Sequence, residues 1–334
     1  MKSSSKSRYW LGFDLGGTKM MATVFDRDFN IVAYRRKKTK DSQGAKGLLD
    51  RIGETIEEAL QAAHLSPRRL GAIGFGCPGW LDLDRGVILL APNLGLRNVS
   101  LKKELIREFR CPVVLANDVD AGTYGEYRFG AGRGARSLLG VFPGTGIGGG
   151  LVYEGKLYRG STGSCMEIGH IHMQPKGHLC GCGRRGCLET VASRLAIASQ
   201  AAEAAYRGEA PHLLELAGTD IAAIRSGALA SSIKAGDRVI EQIVRHAAKD
   251  LGIAIGSVIN LLAPDTIVLG GGLVEAMPSL YVQEVRASIK KQAMRPYTKS
   301  LKVVVAKLGD DAVAMGAAAL AADEIRRTGQ RGEP

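Results

Sequence analysis

The sequence predicts an α/β protein of two similarly built domains, and three observations predict it. The chain has 334 residues, 45% of them hydrophobic, with a mean hydropathy near zero, enough to bury one large core or two ordinary ones. Two segments, Leu11–Phe25 (LGFDLGGTKMMATVF) and Leu139–Tyr153 (LGVFPGTGIGGGLVY), align without a gap, one opening each half of the chain. Behind each of them, strand patterns alternate with helical ones.

In both repeated segments an apolar strand reaches a tight Gly/Thr turn and returns as a second strand, as a β-hairpin with a sharply bent tip would. After the first, Leu49, Ile52, Ile56 and Leu60 fall at helical spacing within Leu48–Leu65, and Ala72–Phe75 reads as a buried strand. A strand at Val113–Ala116 ends on Asn117–Asp118 and runs into a helical stretch with Glu126 near its end. Groups at the C-terminal end of a strand are what an open α/β sheet presents to a cleft. In the second half, helical patterns cover Glu189–Tyr206 and Arg238–Leu262. The strand Thr266–Leu269, another helix, the strand Lys302–Ala306 and an Ala-rich final helix follow. The repeat and the glycine run FGAGRGA place the boundary near Gly130–Gly134, giving domains 1–131 and 132–312.

Composition narrows the function classes. The 45 basic against 33 acidic residues give a formal charge of +12, which suits nucleic acid, anionic lipid or a nucleotide. The basic clusters at Arg35–Lys40, Arg184–Arg185 and Arg326–Arg331 lack interleaved aromatics, so they read as solvated surface and not as a nucleic-acid patch. Met1–Arg8 is basic and Ser-rich but leads directly into a strand pattern, and is expected to be a frayed tail, not a signal peptide. The most apolar stretch, Leu251–Val274, is interrupted by Asn260, Pro264 and Asp265 and reads as a buried helix and strand, not a membrane span. Six cysteines are too few for a disulfide scaffold, and three lie within eight residues, which points to a metal in a reducing, cytoplasmic setting. Cys77, Cys111 and Cys165 are expected to be buried thiols, and Trp80 a buried ring packed under a turn.

The hairpin tips carry the chemistry. Asp14-Leu15-Gly16-Gly17-Thr18-Lys19 offers backbone N–H groups, a hydroxyl and an ammonium that together match a polyphosphate, with Asp14 placed to hold Mg²⁺ directly or through water. Gly144, Thr145 and Gly146 supply more bare backbone from the second tip. Neither is a Walker A loop or a GxGxxG turn leading from strand into helix. Gly270–Gly272, directly after a strand, is either bare backbone for an adenine or ribose, through Gly271 and Gly272, or only a turn. Cys180, Cys182 and Cys187 with one of His170, His172 or His178 suit a tetrahedral Cys₃His zinc site. With all four positions filled by protein, that zinc would be structural.

DLGGTK, the strand-end Asn117–Asp118 followed by Glu126, the GTGIGGG turn, and Glu167-Ile168-Gly169-His170 with CxCGxxGCxE occur in one order over Tyr9 to Ala322. In that combination the chain resembles the ROK-family sugar kinases, closest in pattern to the glucokinases. The resemblance implies an actin-like (ribonuclease H-like) two-domain ATPase fold with an inter-domain cleft, the N-terminal domain completed by the C-terminal helix 313–334. It implies ATP and Mg²⁺ as cofactors, a sugar as substrate, and a homodimer. It makes Asp118 the catalytic base, Asn93, Asn117, Glu167 and Glu189 sugar contacts, and His170 both a zinc ligand and a neighbour of the sugar. A site lined with amides, carboxylates and an imidazole pairs the donor and acceptor of each sugar hydroxyl. Two departures bear on the choice of sugar: Met166 stands where the family often has glycine before Glu167, and Leu96 replaces an aromatic often found after Asn93. Sugar-responsive regulators of the same family carry an N-terminal helix-turn-helix module, for which a first hairpin starting by residue 9 is expected to leave no room.

Overall fold

The computed structural model describes residues 9–39, 44–161 and 163–330, so the tail expected at Met1–Arg8 lies outside the described residues. The chain divides into two compact units, Met1–Arg133 with Leu157–Cys165 and Asp310–Pro334, and Gly134–Lys156 with Met166–Gly309.

In the first unit, β1 (Tyr9–Leu15) and β2 (Lys19–Phe25) form the expected hairpin, and β3 (Ile31–Lys38) extends it antiparallel. Helix α1 (Gly44–Ala62) buries Leu48, Ile52, Ile56 and Leu60, a single stripe at helical spacing, and returns the chain to β4 (Leu70–Cys77), parallel to β1. Phe13 of β1 stacks on Phe75 of β4 with ring centroids 4.6 Å apart, fixing the register of that parallel pair from inside the core. A small antiparallel sheet of β5 (Trp80–Asp82), β6 (Val87–Ala91) and β7 (Leu96–Val99) precedes α2 (Leu101–Phe109), β8 (Val113–Asn117) and α3 (Asp118–Arg128). The main sheet runs β3-β2-β1-β4-β8.

The second unit repeats the plan. Its hairpin of β9 (Ser137–Pro143) and β10 (Ile147–Tyr153) is extended by β11 (Lys156–Leu157). Helices α4 (Glu189–Ala192), α5 (Arg194–Tyr206), α6 (Pro211–Ala217), α7 (Ser226–Ala235) and α8 (Arg238–Leu262) lead to β12 (Thr266–Leu269). Then come α9 (Gly272–Ala276), α10 (Pro278–Gln292), α11 (Arg295–Thr298) and β13 (Lys302–Val305). The order β11-β10-β9-β12-β13 matches the first sheet strand for strand, with the antiparallel pair β10-β9 followed by parallel strands on the far side of β9. The helix expected over Glu189–Tyr206 is broken at Ser193, whose extended backbone ends α4 and whose Oγ accepts from the Ala196 N–H at 3.2 Å to cap α5.

The last helix, α12 (Ala312–Gln330), belongs to the first unit and lies against β1, β4 and α3. Its Ala/Gly composition reflects close approach more than helix propensity. A Cβ added to Gly12 would fall 1.9 Å from the Ala314 carbonyl oxygen, and one on Gly316 would fall 1.8 Å from that of Ala121. Both obstacles are backbone, so neither can swing aside. Gly316→Ala is therefore expected to destabilise the first unit by about 1–3 kcal/mol, the usual cost of overpacking. Thermal unfolding at the wild-type midpoint would contradict that backbone contact.

Two expectations for single residues fail. Trp80 is 63% exposed, because the turn at Pro78-Gly79 (φ +103° at Gly79) delivers it to the edge strand of the small sheet and not beneath the turn. Cys77 and Cys111 are buried, but Cys165 is only partly so, with its thiol donating to the Tyr158 carbonyl at 2.9 Å. Among the described residues, no helix is long and apolar enough to cross a membrane.

Candidate active site

The first unit gathers its candidate residues on the C-terminal edge of three parallel strands. Asp14 stands near the end of β1, in register with Gly76 of β4, and Cys77 of β4 is in register with Asn117 at the end of β8. At the hairpin tip the Gly16 N–H donates to the Lys19 carbonyl at 2.9 Å, and the Thr39 hydroxyl donates to the Gly16 carbonyl at 2.8 Å. Asn93, exposed in the short turn Pro92–Leu94, lies beside the tip, its Cβ 3.8 Å from where a Cβ on Gly17 would be. Thr18 and Lys19 are exposed. Leu96, by contrast, is buried in the core.

Charge at this edge is finely balanced. Burial, and then the negative charge of Asp118, push the Asp14 carboxyl up to about 7, against the pull of Lys19. The two carboxylates therefore sense one another, and a divalent cation at Asp14 would reverse the shift. Lys19 Nζ is turned to Asp310, at 2.8 Å, which also takes Arg36 at 2.9 Å. These groups are about half exposed, so the network is weakly held and can yield Lys19 to an incoming anion.

Asn117 caps α3: its Oδ1 accepts from the N–H groups of Val119 at 2.9 Å and Asp120 at 3.3 Å. Its amide nitrogen is thus the group left to donate to a ligand. Asp118 is the first residue of α3, at the positive end of the helix dipole, and its Oδ1 accepts from the Val119 N–H at 3.0 Å.

In the second unit the corresponding edge is formed by β9 and β12. The Gly144 N–H donates to the Gly146 carbonyl at 2.8 Å, closing the turn that leaves Thr145 exposed. A Cβ on Gly271, at φ +80°, would lie 2.8 Å from the Pro143 carbonyl oxygen, so the third glycine cluster abuts the strand end that leads into this turn. Gly272 opens α9 beside Ser226 Oγ.

The segment carrying Glu167 and His170 is pressed onto β10. A Cβ on Gly169 would fall 2.2 Å from the Ile147 carbonyl oxygen, and one on Gly149 would fall 2.7 Å from that of Met166. Glu167 is exposed and His170 partly buried. Met166 adopts φ +61°, so the position before Glu167 keeps the left-handed backbone that favours glycine although the residue is Met.

His170, Cys180, Cys182 and Cys187 place their ligand atoms within 4.8 Å of one another. Cys180 Sγ is 3.6 Å from His170 Nδ1 and Cys182 Sγ is 3.7 Å from Cys187 Sγ. A tetrahedral zinc with bonds of about 2.3 Å to sulfur and about 2.0–2.1 Å to nitrogen has edges of about 3.6 Å and 3.8 Å. The donor set therefore fits zinc, and it selects His170 from the three histidines. His172 is instead bridged through its backbone to Cys187, and the His178 carbonyl accepts from the Gly186 N–H at 3.0 Å. Gly186 takes φ +75°, and a Cβ there would sit 1.7 Å from the Gln174 carbonyl oxygen, so the loop can close only through glycine.

Glu189 joins the cysteine cluster to the second turn. Its Oε2 accepts from the Ile147 N–H at 3.1 Å, and its Oε1 lies 3.6 Å from Cys180 Sγ. A cavity of about 510 Å³ opens here, bordered by Thr145, Cys180 and Glu189. Asp310, Arg36, Thr39, Arg194 and Ser226 also border the candidate groups and carry no motif that sequence reading would catch; only Asp310, in the turn GDD, had a local cue.

Comparison with known proteins places the chain. The ROK family model matches residues 10–324. A glucokinase of Halalkalibacterium halodurans is 34% identical over 92% of this chain and 93% of its own. The crystal structure of a ROK family glucokinase from Streptomyces griseus, in complex with glucose and AMPPNP, superposes with a TM-score of 0.82 at 32% identity, covering 94% of this chain and 99% of that one. A ROK family transcriptional regulator, a homologue of the E. coli MLC protein, gives a TM-score of 0.83 at 28% identity over 93% of this chain and 77% of its own. The repeated sheet order is that of the actin-like ATPase fold shared by these sugar kinases. From its first hairpin to its last helix, the chain belongs to the ROK family.

Proposed function

We propose that the protein is an ATP-dependent sugar kinase whose foremost acceptor is glucose, converted to glucose 6-phosphate. The observation that carries the reading is the gathering of Asp14, near the end of β1, and Asp118, directly after β8, at one edge of the first sheet, where burial and then the Asp118 charge raise the Asp14 pKa. One carboxylate suits a base and the other a magnesium ligand. Similarity to the glucokinases supports the substrate class.

In this reading the backbone of the two glycine turns, Gly16–Gly17 and Gly144–Gly146, takes up the phosphates, with the Thr18 and Thr145 hydroxyls and Lys19. Asp14 would hold magnesium, which would neutralise charge on the phosphate chain. Gly271 and Gly272 admit the nucleoside. The sugar is held by Asn93, the amide nitrogen of Asn117, Glu167, His170 and Glu189. Asp118 accepts the hydroxyl proton as the sugar oxygen bonds to the γ-phosphorus and the bond to the β,γ-bridging oxygen breaks, releasing ADP. Phosphoryl transfer has a loose transition state, so holding the groups in line does most of the work. Zinc on His170, Cys180, Cys182 and Cys187 would be structural; Cys180 touches Glu189, so the cluster steadies the sugar-facing wall.

A panel of glucose, fructose, mannose, N-acetylglucosamine and N-acetylmannosamine, assayed with ATP and with polyphosphate, tests the reading. The highest kcat/KM is expected for glucose with ATP, and no turnover of any sugar would defeat it. The fold shared with a ROK regulator favours a second reading, a sugar sensor. A sensor binds sugar without consuming ATP, and the same panel separates the two.

A further inference from the structure

We propose that Arg194 is a positioning residue for the phosphoryl donor: it turns the Thr145 hydroxyl toward the phosphate chain and, with Arg225, adds the positive charge that selects a polyanion. This rests on the reading above, in which the Gly144–Gly146 turn takes up phosphate.

Arg194 grips that turn at two levels. Its backbone N–H donates to the Gly144 carbonyl at 2.8 Å, and its Nη2 donates to Thr145 Oγ1 at 3.1 Å. A hydroxyl has one proton and two lone pairs. Once the guanidinium occupies a lone pair, the Thr145 proton must point elsewhere, and Thr145 is exposed at the tip of the turn. The hydroxyl is thereby set as a donor to whatever the glycine backbone binds. Without Arg194 it would rotate freely and accept as readily as donate.

The electrostatics call for an anion. Arg194 makes its other side-chain contact to a neutral acceptor, the Ile224 carbonyl, with Nη1 at 3.4 Å. Burial and the nearby charge of Arg225 both weaken its hold on its proton, and among the described residues no carboxylate offsets them. Arg194 also opens α5, where the helix dipole disfavours a cation. Arg225 immediately precedes Ser226, whose Oγ approaches Gly272. The Arg194 guanidinium and the Arg225 backbone thus lie where the second turn and the third glycine cluster meet, beyond the C-terminal ends of β9 and β12. A linear chain of phosphates fits these donors, whether from a nucleoside triphosphate or from inorganic polyphosphate.

Calorimetric titration of the intact protein with magnesium-AMPPNP and with magnesium-tripolyphosphate tests this in wild type, Arg194→Ala, Arg194→Lys and Thr145→Val. Arg194→Ala is expected to weaken both ligands by about 10- to 100-fold, the range of a lost charged hydrogen bond. Arg194→Lys should recover part of the loss, while the unfolding midpoint and the affinity for glucose stay unchanged. In the Thr145→Val background the added loss from Arg194→Ala should shrink, since the two groups act through one hydrogen bond. Wild-type protein that binds while Arg194→Ala binds equally well overturns this inference alone. Loss confined to AMPPNP overturns the phosphate role, because the residue would then act on the nucleoside. Wild-type protein that binds neither ligand overturns the underlying reading as well.

Discussion

Asp118→Asn is expected to lower kcat by about 10²- to 10⁴-fold, the usual contribution of a general base. Glucose affinity should change little, because the amide keeps the carboxylate's shape and the Asn Oδ1 can still accept from the Val119 N–H. A fall in kcat with an unchanged dissociation constant identifies an interaction made mainly in the transition state. The variant has a second readout. Removing the Asp118 charge takes away the second cause of the raised Asp14 pKa and leaves the first, burial, so Asp14 should titrate below about 7 yet above an ordinary carboxyl. Carbon-detected NMR of the carboxyl groups would show it. Near-normal turnover in the variant removes Asp118 from the role of base, and an unmoved Asp14 would mean the two carboxylates do not interact.

Cys182→Ser is expected to release zinc and lower both the unfolding midpoint and the affinity for sugar. Cys182 is the informative ligand because it is exposed, whereas Cys180 and Cys187 are buried. Its substitution removes a ligand and opens no cavity, so any loss of stability reports the metal. Small zinc peptides gain about 10–16 kcal/mol from binding the ion. Only a fraction should appear here, since most of the core of this unit, including Leu139, Val244, Leu251 and Ile267, comes from strands and helices outside the loop. Sugar affinity should fall with the metal, because Cys180 contacts Glu189 and Glu189 in turn holds the Ile147 N–H. Elemental analysis showing no zinc in wild-type protein purified without chelators would contradict the site.

Features legible in the sequence were those in which local chemistry and global fold agree. The two glycine hairpins, the strand end at Asn117–Asp118 and the cysteine loop each need particular residues at fixed spacing, and the structure puts them where those residues demand. Strand β3 was not legible, because IVAYRRKK is an exposed edge strand with little buried face to impose alternation. The break at Ser193 was masked by helical spacing on both sides, although a serine there is a capping signal. The capping role of Asn117 and the pairing of Lys19 with Asp310 arise from local geometry and from a residue nearly 300 positions away, so neither shows in a motif. Spacing alone could not choose among His170, His172 and His178. That choice depended on how the loop closes through Gly186, a tertiary matter.

The central claim is that the γ-phosphoryl group passes to a sugar hydroxyl and not to water. Phosphorus NMR of the protein with magnesium-ATP and glucose tests it most directly. Glucose 6-phosphate and ADP should accumulate in equal amounts with no free phosphate. Free phosphate without sugar phosphate, or unchanged ATP with every hexose tried, would contradict it.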